Sequence, residues 1–412
     1  MLIYILVAVL IILLIYVGWY HNLKSKARPK AKEASNAKVR DWSESILEEH
    51  RKFTDPIADD IVKFIFDNKE EKEMEHIFRM IVRNDGKLPD DLPPKVKEYF
   101  EKTEHLPDWA DWDLIKFGQE NYIRHGLPIA MLLFYKSLPE CYTGAKGAQV
   151  LLSTTRLNDH SKNLEVFSRR MSETGLFIFD AMMPGGLNPG GKGIRTAQKV
   201  RLIHASMRYF LKKRGWDTEK FDDPINQEDM AGTLMSFSSL ILLGLEQIGI
   251  KLDTTEREAY IHCWRVIGHV MGVHPDLIPN NADDAISLGM AIINHQKAPS
   301  KAGHRLANAL LNFCDKKAPP FIKEDFHTAM MRLLMGEDLS AMLEIPPVSE
   351  KRIKSLSRKV HTYTKIREWL DHSTLFALII KWIDTFALKF SFRYLGRSRV
   401  NYFFLPKSLT RD

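Results

Sequence analysis

Cysteine is scarce in this chain, and the few cysteines that occur are far apart. Among 412 residues only Cys141, Cys263 and Cys314 are cysteines, and no CxxC pair is formed. This spacing argues against a disulfide framework and against a thiolate zinc site. The zinc-protease signature HExxH and the hydrolase signature GxSxG are absent as well, which disfavours both of those enzyme classes.

Alternation of apolar and polar positions, the pattern typical of β-strands, is not sustained in the sequence. From about Asp41 the apolar residues recur at helical spacing, which predicts an all-α domain. Hydrophobic residues make up 45% and charged residues 27% of the chain, values that exclude a wholly disordered or polytopic membrane protein. Four helices are predicted at 161–183, 196–214, 226–248 and 255–271, the last opening with a capping box of Thr255 and Glu258.

Positive charge is missing from the middle of the chain. The net charge is +7, but residues 21–40 carry +6 and the residues from 373 onward carry +5, which leaves −4 for the rest. A basic nucleic-acid-binding core is therefore disfavoured. Positive charge at the two ends is instead suited to anionic lipid.

The N-terminus explains this charge distribution. Residues 2–20 contain no charged side chain, and as a helix they would span about 30 Å, the thickness of a bilayer core. We interpret residues 1–20 as an uncleaved, single-pass membrane anchor. The basic residues follow it, which predicts that the remaining chain lies on the cytoplasmic side of a bacterial inner membrane or of the endoplasmic reticulum.

The anchor divides the chain into segments. A basic, polar tether at 21–40 leads to a helical domain at 41–346, and a basic segment follows at 347–412. In this last segment 375–395 is mostly apolar but interrupted by four charged residues, so we expect a helix that lies on the membrane surface or docks on the core.

His204 lies at the edge of the apolar face of its predicted helix. Arg201 and Arg208, three positions before and four after, flank it on the same side. A histidine in this position is more often a hydrogen-bonded core residue than a metal ligand. The arginines favour a binding site, because a buried guanidinium needs an anionic partner, such as a cofactor carboxylate or phosphate.

The helix at 161–183 has a similar arrangement. Arg170 lies one turn from Thr174 at the border of an apolar stripe. The pair would bring a fixed positive charge and a hydroxyl to the rim of an apolar surface. The alternative is a surface arginine with a threonine tolerated in the core.

Three further patterns are weaker. His262 and His269 lie opposite the apolar stripe of their helix, so we expect them to face solvent or a second packing surface. Glu324 and His327 form one ExxH, whereas a di-iron bundle needs two. The glycine-rich run 186–192 imitates a phosphate loop, but neither a serine nor a threonine follows its lysine.

Five strings in the sequence together resemble one oxygenase family, which includes bacterial latex-clearing protein and the membrane-bound MpaB oxygenase of fungal mycophenolic acid synthesis. They are STTRL at 153–157, RxxxT at 170–174, VRLIHASMR at 200–208, PINQEDM at 224–230 and HCWRVIG at 262–268. The resemblance extends over roughly 109–346. It implies a single all-helical domain with a globin-like core that holds one haem b.

The resemblance also implies roles for individual residues. His204 matches the proximal iron ligand, Arg201 and Arg208 match the arginines that flank it, and Arg170 and Thr174 match the distal arginine and threonine. The two flanking arginines would hold the haem propionates or brace the proximal helix.

Two positions depart from the latex-clearing pattern. Glu173 stands where those enzymes have a lysine able to occupy the sixth iron position, and the stretch from Thr154 to Arg156 lacks their suggested glutamate base. The expected function is haem-dependent, O₂-dependent oxidation or cleavage of a C=C bond in a hydrophobic, isoprenoid-like substrate. The alternatives are a haem sensor or carrier without turnover and a membrane-tethered structural protein.

Overall fold

The computed structural model describes residues 2–68, 77, 88, 91–154, 163–318, 322, 325–371 and 379–387. For residues 2–3, 5–10, 12–13, 68, 163–169 and 371 it describes the backbone alone. Across these ranges the regular secondary structure is helical, and the one extended pairing is an isolated bridge between Gly144 and Lys297. The all-α prediction is confirmed.

The helices are numbered in chain order through the described ranges. They are α1 (Leu2–Ser35), α2 (Glu44–His50), α3 (Pro56–Asn68), α4 (Pro94–Glu104), α5 (Trp112–Arg124), α6 (Gly126–Leu132), a π-helical turn (Leu133–Ser137), α7 (Leu138–Thr143), α8 (Ala145–Ser153), α9 (Asn163–Met182), α10 (Lys192–Lys213), α11 (Thr218–Phe221), α12 (Gln227–Phe237), α13 (Ser239–Gln247), α14 (Thr254–Val270), a 3₁₀ turn (Pro275–Leu277), α15 (Ala282–Gln296), α16 (Lys301–Lys317), α17 (Phe326–Met335), α18 (Glu337–Met342), α19 (Glu350–Asp371) and α20 (379–387).

Helix α1 includes both the predicted anchor and most of the predicted tether. In the part of the chain that the structure describes, no helix is both long enough and apolar enough to cross a bilayer. Most side chains of residues 2–13 lie outside the described residues, so the anchor stays a prediction.

Most of residues 21–40, predicted as a basic, polar tether, instead form part of a helix that packs on the domain. The chain is helical to Ser35, and Ala27 and Ala31 are fully buried against α5 and α14. Lys24 Nζ lies 2.6 Å from the N-cap carboxylate of α14, and Lys30 Nζ lies 2.6 Å from the N-cap carboxylate of α5. The small alanines let the helix approach closely, while the lysines neutralise the two caps.

A glycine allows α5 and α14 to approach very closely. A Cβ added at Gly118 would lie 2.2 Å from the carbonyl oxygen of Ala259, which no side chain could tolerate. This contact sets the spacing of the two helices on which α1 docks.

A tight loop turns α9 back onto α10. Gly185 and Gly190 adopt the left-handed conformation, with φ of +82° and +69°, and Gly193 lies against Ala181 so closely that a Cβ would meet its Cα at 2.4 Å. The two helices therefore run side by side, which brings the segment of Arg170 next to that of His204.

Three of the four predicted helices are found as single helices with shifted ends. The predicted start at Ser161 lies outside the described residues, and α9 ends at Met182. The helix predicted at 226–248 is instead two helices, because the chain breaks at Ser238, with φ of −120° and ψ of −84°. The capping box was also placed wrongly, since Asp253 and Glu256 form it.

A π-helical turn interrupts the helical run from Gly126 to Thr143. It extends from Leu133 to Ser137, between α6 and α7. A π turn accommodates one residue more than an α turn, and such turns are frequent at functional sites. The face that α7 presents to the core is therefore rotated relative to α6.

Helix α20 lies within the predicted C-terminal helix at 375–395, whose other residues lie outside the described part. Asp384 is buried in an ion pair with Arg367 of α19, and Lys381 donates to Glu120 of α5. The described part of this helix is therefore docked on the core, which was one of the two predicted alternatives.

Candidate active site

A cavity of about 350 Å³ lies among α7, α8, α9, α10, α12 and α14. Its size is typical of a site for a small ligand. Three residues singled out from the sequence, His204, Arg170 and Thr174, line this one cavity. Much of the remaining lining is apolar, including Phe177, Trp264, Ile267, Leu234 and Met207.

His204 projects from α10 with Val200, Ile203 and Met207, which also line the cavity. Its Nδ1 atom is buried, and among the described residues it has no hydrogen-bond partner. Burial and, to a smaller extent, the charges of Arg208 and Arg170 lower the pKa of His204 to about 4, although the charge of Asp55 opposes the shift. The imidazole is therefore neutral at pH 7, the form that binds a metal.

One face of α9 contributes polar residues to the cavity. Arg170, Glu173, Thr174 and Phe177 follow each other at helical spacing and all line it. Burial lowers the pKa of Arg170, and the nearby charges of Tyr142 and Glu173 partly offset this. This face of α9 thus combines a guanidinium, a carboxylate and a hydroxyl beside the aromatic ring of Phe177.

Arg201 and Arg208 have protein partners away from the cavity. Arg201 forms a bidentate ion pair with Asp55, with Nε–Oδ2 and Nη2–Oδ1 distances of 2.5 and 2.8 Å. Arg208 Nε donates to Asp59 at 2.7 Å. Both guanidiniums are buried, so their need for an anion is met by α3 and the residue before it. These contacts favour bracing of α10; propionate binding stays a prediction.

The string at 224–230 connects three parts of the chain beside the cavity through hydrogen bonds and ion pairs. Asn226 caps α12, and the amide nitrogen of Gln227 donates to the carbonyl oxygens of Thr54 and Gly272. Arg51, itself almost fully buried, pairs with Glu228 and two neighbouring aspartates. The string therefore joins α2, α12 and the end of α14.

The weaker candidates have structural roles. His262 is buried and its Nε2 accepts the backbone N–H of Asp111 at 2.8 Å, so for this residue the solvent alternative was wrong and the packing alternative is confirmed. His269 is half-buried, with its ring edge-on to that of Trp109. His327 bonds to Tyr135 at 2.7 Å, while Glu324 lies outside the described residues. Lys192 of the glycine-rich run pairs with a carboxylate at the end of α9.

One further group could meet a metal ion within the described ranges. Ligand atoms of His50, His274 and Asp276 lie within 4.8 Å of one another. However, His274 Nδ1 accepts the backbone N–H of Asp276 at 3.3 Å and caps the 3₁₀ turn. We therefore assign this group a structural role.

The cavity residues fit a haem group. A neutral imidazole with a buried, unpartnered nitrogen lines a mostly apolar cavity, as a histidine that holds a haem iron would require. The same cavity contains Arg170 and Thr174, which could donate hydrogen bonds to a molecule bound there. His204 would hold the iron, and the aromatic and aliphatic residues would surround the macrocycle.

Comparison with known proteins agrees with this geometry. The family model described as ER-bound oxygenase mpaB/B'/Rubber oxygenase, catalytic domain, matches residues 123–365, more than half of the chain. The chain belongs to this oxygenase family. The matched range contains the whole α9–α10 hairpin and the cavity that it lines.

Two relatives illustrate the similarity to the MpaB and rubber oxygenase family. The rubber oxygenase of Streptomyces sp. (strain K30) is 27% identical over 309 residues, which cover 73% of either chain. A solved structure of latex clearing protein LCP in the closed state has a TM-score of 0.64 at 20% identity. The match covers 88% of this chain and 96% of that one. The overall fold is therefore that of latex clearing protein.

Sequence reasoning missed two kinds of residue around the oxygenase cavity. Glu140 lines the cavity and pairs with Lys136 at 2.5 Å, and burial raises the pKa of its carboxyl group. Their spacing of four residues was a local signal of this pair. Asp55 and Asp59 were also missed, because nothing in the sequence near α10 indicates that its arginines meet α3.

Proposed function

We propose that the chain is a haem b-dependent oxygenase that oxidises or cleaves a C=C bond in a hydrophobic, isoprenoid-like substrate. The observation that carries the proposal is the meeting of His204, Arg170 and Thr174 in one largely apolar cavity. Membership of the MpaB and rubber oxygenase family supports it.

His204 is the residue proposed to hold the iron through its neutral imidazole. When bound, the haem supplies an iron that binds and activates O₂. Arg201 and Arg208 keep the helix of His204 in place through Asp55 and Asp59. This bracing holds the imidazole in one orientation towards the cavity.

Arg170 and Thr174 act as hydrogen-bond donors inside the cavity. Negative charge that develops on oxygen during activation is stabilised by donors that are already in place and shielded from water. Glu173, beside them on α9, is buried and can accept or return a proton. This chain therefore has a carboxylate where the latex-clearing pattern has a lysine able to occupy the sixth iron position, and it lacks that pattern's suggested glutamate base.

The apolar walls select the substrate. Phe177, Ile267 and Leu234 offer no polar partner to a substrate chain, so a hydrocarbon loses nothing on leaving a lipid phase and excludes water from the site. We further propose that residues 1–20 anchor the protein in a membrane with its helical domain on the cytoplasmic side, which supports access to such a substrate.

Haem binding is tested by optical spectroscopy of the purified full-length protein. Wild-type protein expressed with haem supplementation should give a Soret band, and His204→Ala should lose it because the iron loses its ligand. His304→Ala is the matched control, since His304 bonds to the carbonyl oxygen of Met342 on α18 and does not line the cavity. A folded wild-type protein that takes up no haem would contradict the proposal.

Turnover is tested separately from binding. The haem-loaded protein is incubated with squalene in detergent while O₂ uptake and carbonyl products are followed. Uptake that requires both squalene and His204 supports the oxygenase. Haem binding without O₂ uptake for any polyisoprene would instead favour the sensor or carrier function, for which the replacement of lysine by Glu173 is the relevant observation.

A further inference from the structure

Helix α20 has its charged side chains turned towards the protein. Asp384 is 1% exposed and forms an ion pair with Arg367, which also donates to the carbonyl oxygen of Arg124. Lys381 Nζ lies 2.6 and 2.8 Å from the two carboxylate oxygens of the buried Glu120. Two ion pairs therefore fix the rotation of this helix about its own axis.

The opposite face of α20 is apolar and exposed. Trp382 is 70%, Phe386 60% and Ile383 48% exposed, and Ile379 belongs to the same face. The rings of Trp382 and Phe386 stack with their centroids 5.9 Å apart. The helix is thus inverted relative to a surface helix in water, which would bury the apolar residues and expose the charged ones.

The exposed face of α20 lies beside that of α1. Lys381 Nζ lies 5.0 Å from the ring centroid of Tyr16 and 5.4 Å from that of Trp19, and Tyr16 donates to Glu120. On α1, Leu14 and Ile15 are exposed in the turn before Tyr16. Glu120 of α5 therefore contacts both α1 and α20, and the two helices lie on the same side of α5.

We propose that α20 and the adjoining turns of α1 form a membrane-contact surface whose partner is a lipid bilayer. We call it the α1–α20 face and define it by Leu14, Ile15, Trp19, Ile383 and the stacked pair Trp382–Phe386. Large apolar side chains this exposed on two adjoining helices are uncommon on a protein surrounded by water.

Three observations favour a bilayer over a second copy of the chain. The α1–α20 face continues along the chain into residues 2–13, which have no charged residue. Tryptophan occurs on both of its helices, and it is the side chain enriched where bilayer and water meet. The chain beyond α20 carries six basic residues, from Lys389 to Arg411, against the single acidic residue Asp412. Basic residues next to an apolar face match anionic headgroups.

This inference goes beyond the anchor in the proposed function and does not depend on the haem site. The anchor alone, because it is continuous with the docked helix α1, would leave the helical domain free to rotate about the axis of that helix. A second apolar helix, fixed to the core by Arg367 and Glu120, would instead hold the domain in one orientation against the membrane surface.

The test places an environment-sensitive label on α20 of the full-length protein. Ile383→Cys is labelled with a nitrobenzoxadiazole maleimide, and Met290→Cys on α15 is the control at another exposed apolar position. Wild type treated identically is the blank, because its cysteines are buried or half-buried. Each protein is reconstituted into vesicles of phosphatidylcholine and phosphatidylglycerol, and flotation confirms that it has bound.

The expected result is a blue-shifted, brighter emission from position 383 in vesicles, and loss of most of that emission when the lipids carry a nitroxide on the acyl chain. Position 290 should show neither change. If the 383 label stays open to an aqueous quencher in floated protein, the anchor alone binds and the inference is overturned. If the label is shielded from water but not quenched by nitroxide lipid, protein covers the face, and the inference is overturned as well.

A second measurement tests the role of the ion pairs. Asp384→Asn removes the charge that holds α20 to Arg367, and in the Ile383→Cys background it should broaden the emission and weaken nitroxide quenching. Because the altered pair is remote from the cavity lining, the Soret band should remain as in the parent protein. Quenching unaffected by this substitution would show that the α19 contact does not orient the helix and would overturn that part of the inference.

Discussion

The helix of His204 is joined to the start of α3 by two ion pairs that differ in burial. The carboxylate of Asp55 is almost fully buried beside Arg201, whereas that of Asp59 is 29% exposed beside Arg208. Water therefore reaches the carboxylate of Asp59 but hardly reaches that of Asp55. Variants of the two pairs therefore show how the contribution of each ion pair to the free energy of unfolding depends on its burial.

Asp55→Asn should destabilise the fold far more than Asp59→Asn. Removing the carboxylate of Asp55 leaves the guanidinium of Arg201 buried without a counter-charge and costs about 3–5 kcal/mol. Asp59 is 29% exposed, so water already screens its pair with Arg208 and its removal costs less. The free energies of unfolding from urea titration of both variants measure this difference. Equal decreases in the free energy of unfolding would mean that the buried, bidentate pair at Arg201 adds no more stability than the pair at Arg208.

Glu173 is the position at which the proposed haem site departs from the latex-clearing pattern. Glu173→Lys restores the amine found in the latex-clearing pattern, so the ferric haem spectrum should shift towards that of a six-coordinate, low-spin iron. Glu173→Gln, which matches the size of the original residue without its charge, should leave the coordination unchanged. Identical spectra for the lysine variant and wild type would place this side chain out of reach of the iron.

At the residue scale, the sequence alone identified those cavity residues whose positions follow the periodicity of a single helix. His204, Arg170 and Thr174 were found by projecting single helices, and the structure brings all three to one cavity. The partner of Arg201 was beyond reach, because Asp55 is 146 positions away and only the folded chain brings them together. Long-range ion pairs leave no periodic signal in a sequence.

At the scale of the elements, the contact between α5 and α14 is the least tolerant of change. Gly118→Ala should lower the midpoint of thermal unfolding markedly, because its Cβ would meet a rigid backbone carbonyl at 2.2 Å. Overpacking of this kind costs about 1–3 kcal/mol or more. Gly147→Ala on α8 is the control, since its Cβ would make an ordinary contact at 3.4 Å. Similar midpoints for the two variants would contradict this view.

The carboxyl group of Glu258 on α14 should make stability depend on pH. Burial raises its pKa to about 7, although the backbone N–H of Ala282 at the start of α15 opposes the shift. The folded state therefore binds the proton more tightly than the unfolded state. Its contribution is present below about pH 4.5, the ordinary value, and is lost as the pH rises through 7.

Glu258→Gln removes this titration while keeping an oxygen that accepts from Ala282. The variant should gain stability relative to wild type as the pH rises from 5 to 8, by up to about 3 kcal/mol. Thermal unfolding of both proteins across that pH range measures the difference. A difference that does not vary with pH would mean that Glu258 titrates normally in the fold.

The elements themselves were partly predictable. Apolar periodicity located α9, α10 and α14 to within a few residues, because each has a continuous buried stripe. The break at Ser238 was missed, since Asn226–Ile248 is apolar enough to look like one helix and no proline or glycine marks the bend. Backbone breaks that depend on tertiary contacts have no local signature.

At the scale of the whole molecule, residues 21–40 are part of the folded domain. Deletion of residues 1–15 should leave the thermal midpoint near that of the full chain in detergent, because Tyr16, Lys24 and Ala27 keep their contacts. Deletion of residues 1–40 should lower it by several degrees and promote aggregation, because it uncovers Phe117 and Leu114. Equal thermal midpoints for the two deletions would mean that residues 16–40 do not stabilise the domain and act only as a tether.

The architecture as a whole was predictable in class but not in arrangement. An all-helical domain followed from the absence of strand patterns, and the family from five short strings. The docking of α1 could not be predicted, because its lysines pair with helix caps more than 80 positions away. A Lys- and Ala-rich segment reads as solvated until its partners are known.

The π turn at Leu133–Ser137 makes the width of the cavity adjustable without altering any residue that lines it. Losing one amino acid there would leave an uninterrupted α-helix and would rotate α7 by about 100°. Cys141 and Tyr142 would then leave the cavity wall. A single insertion or deletion at this turn would therefore change the shape of the cavity as well as the course of the helix.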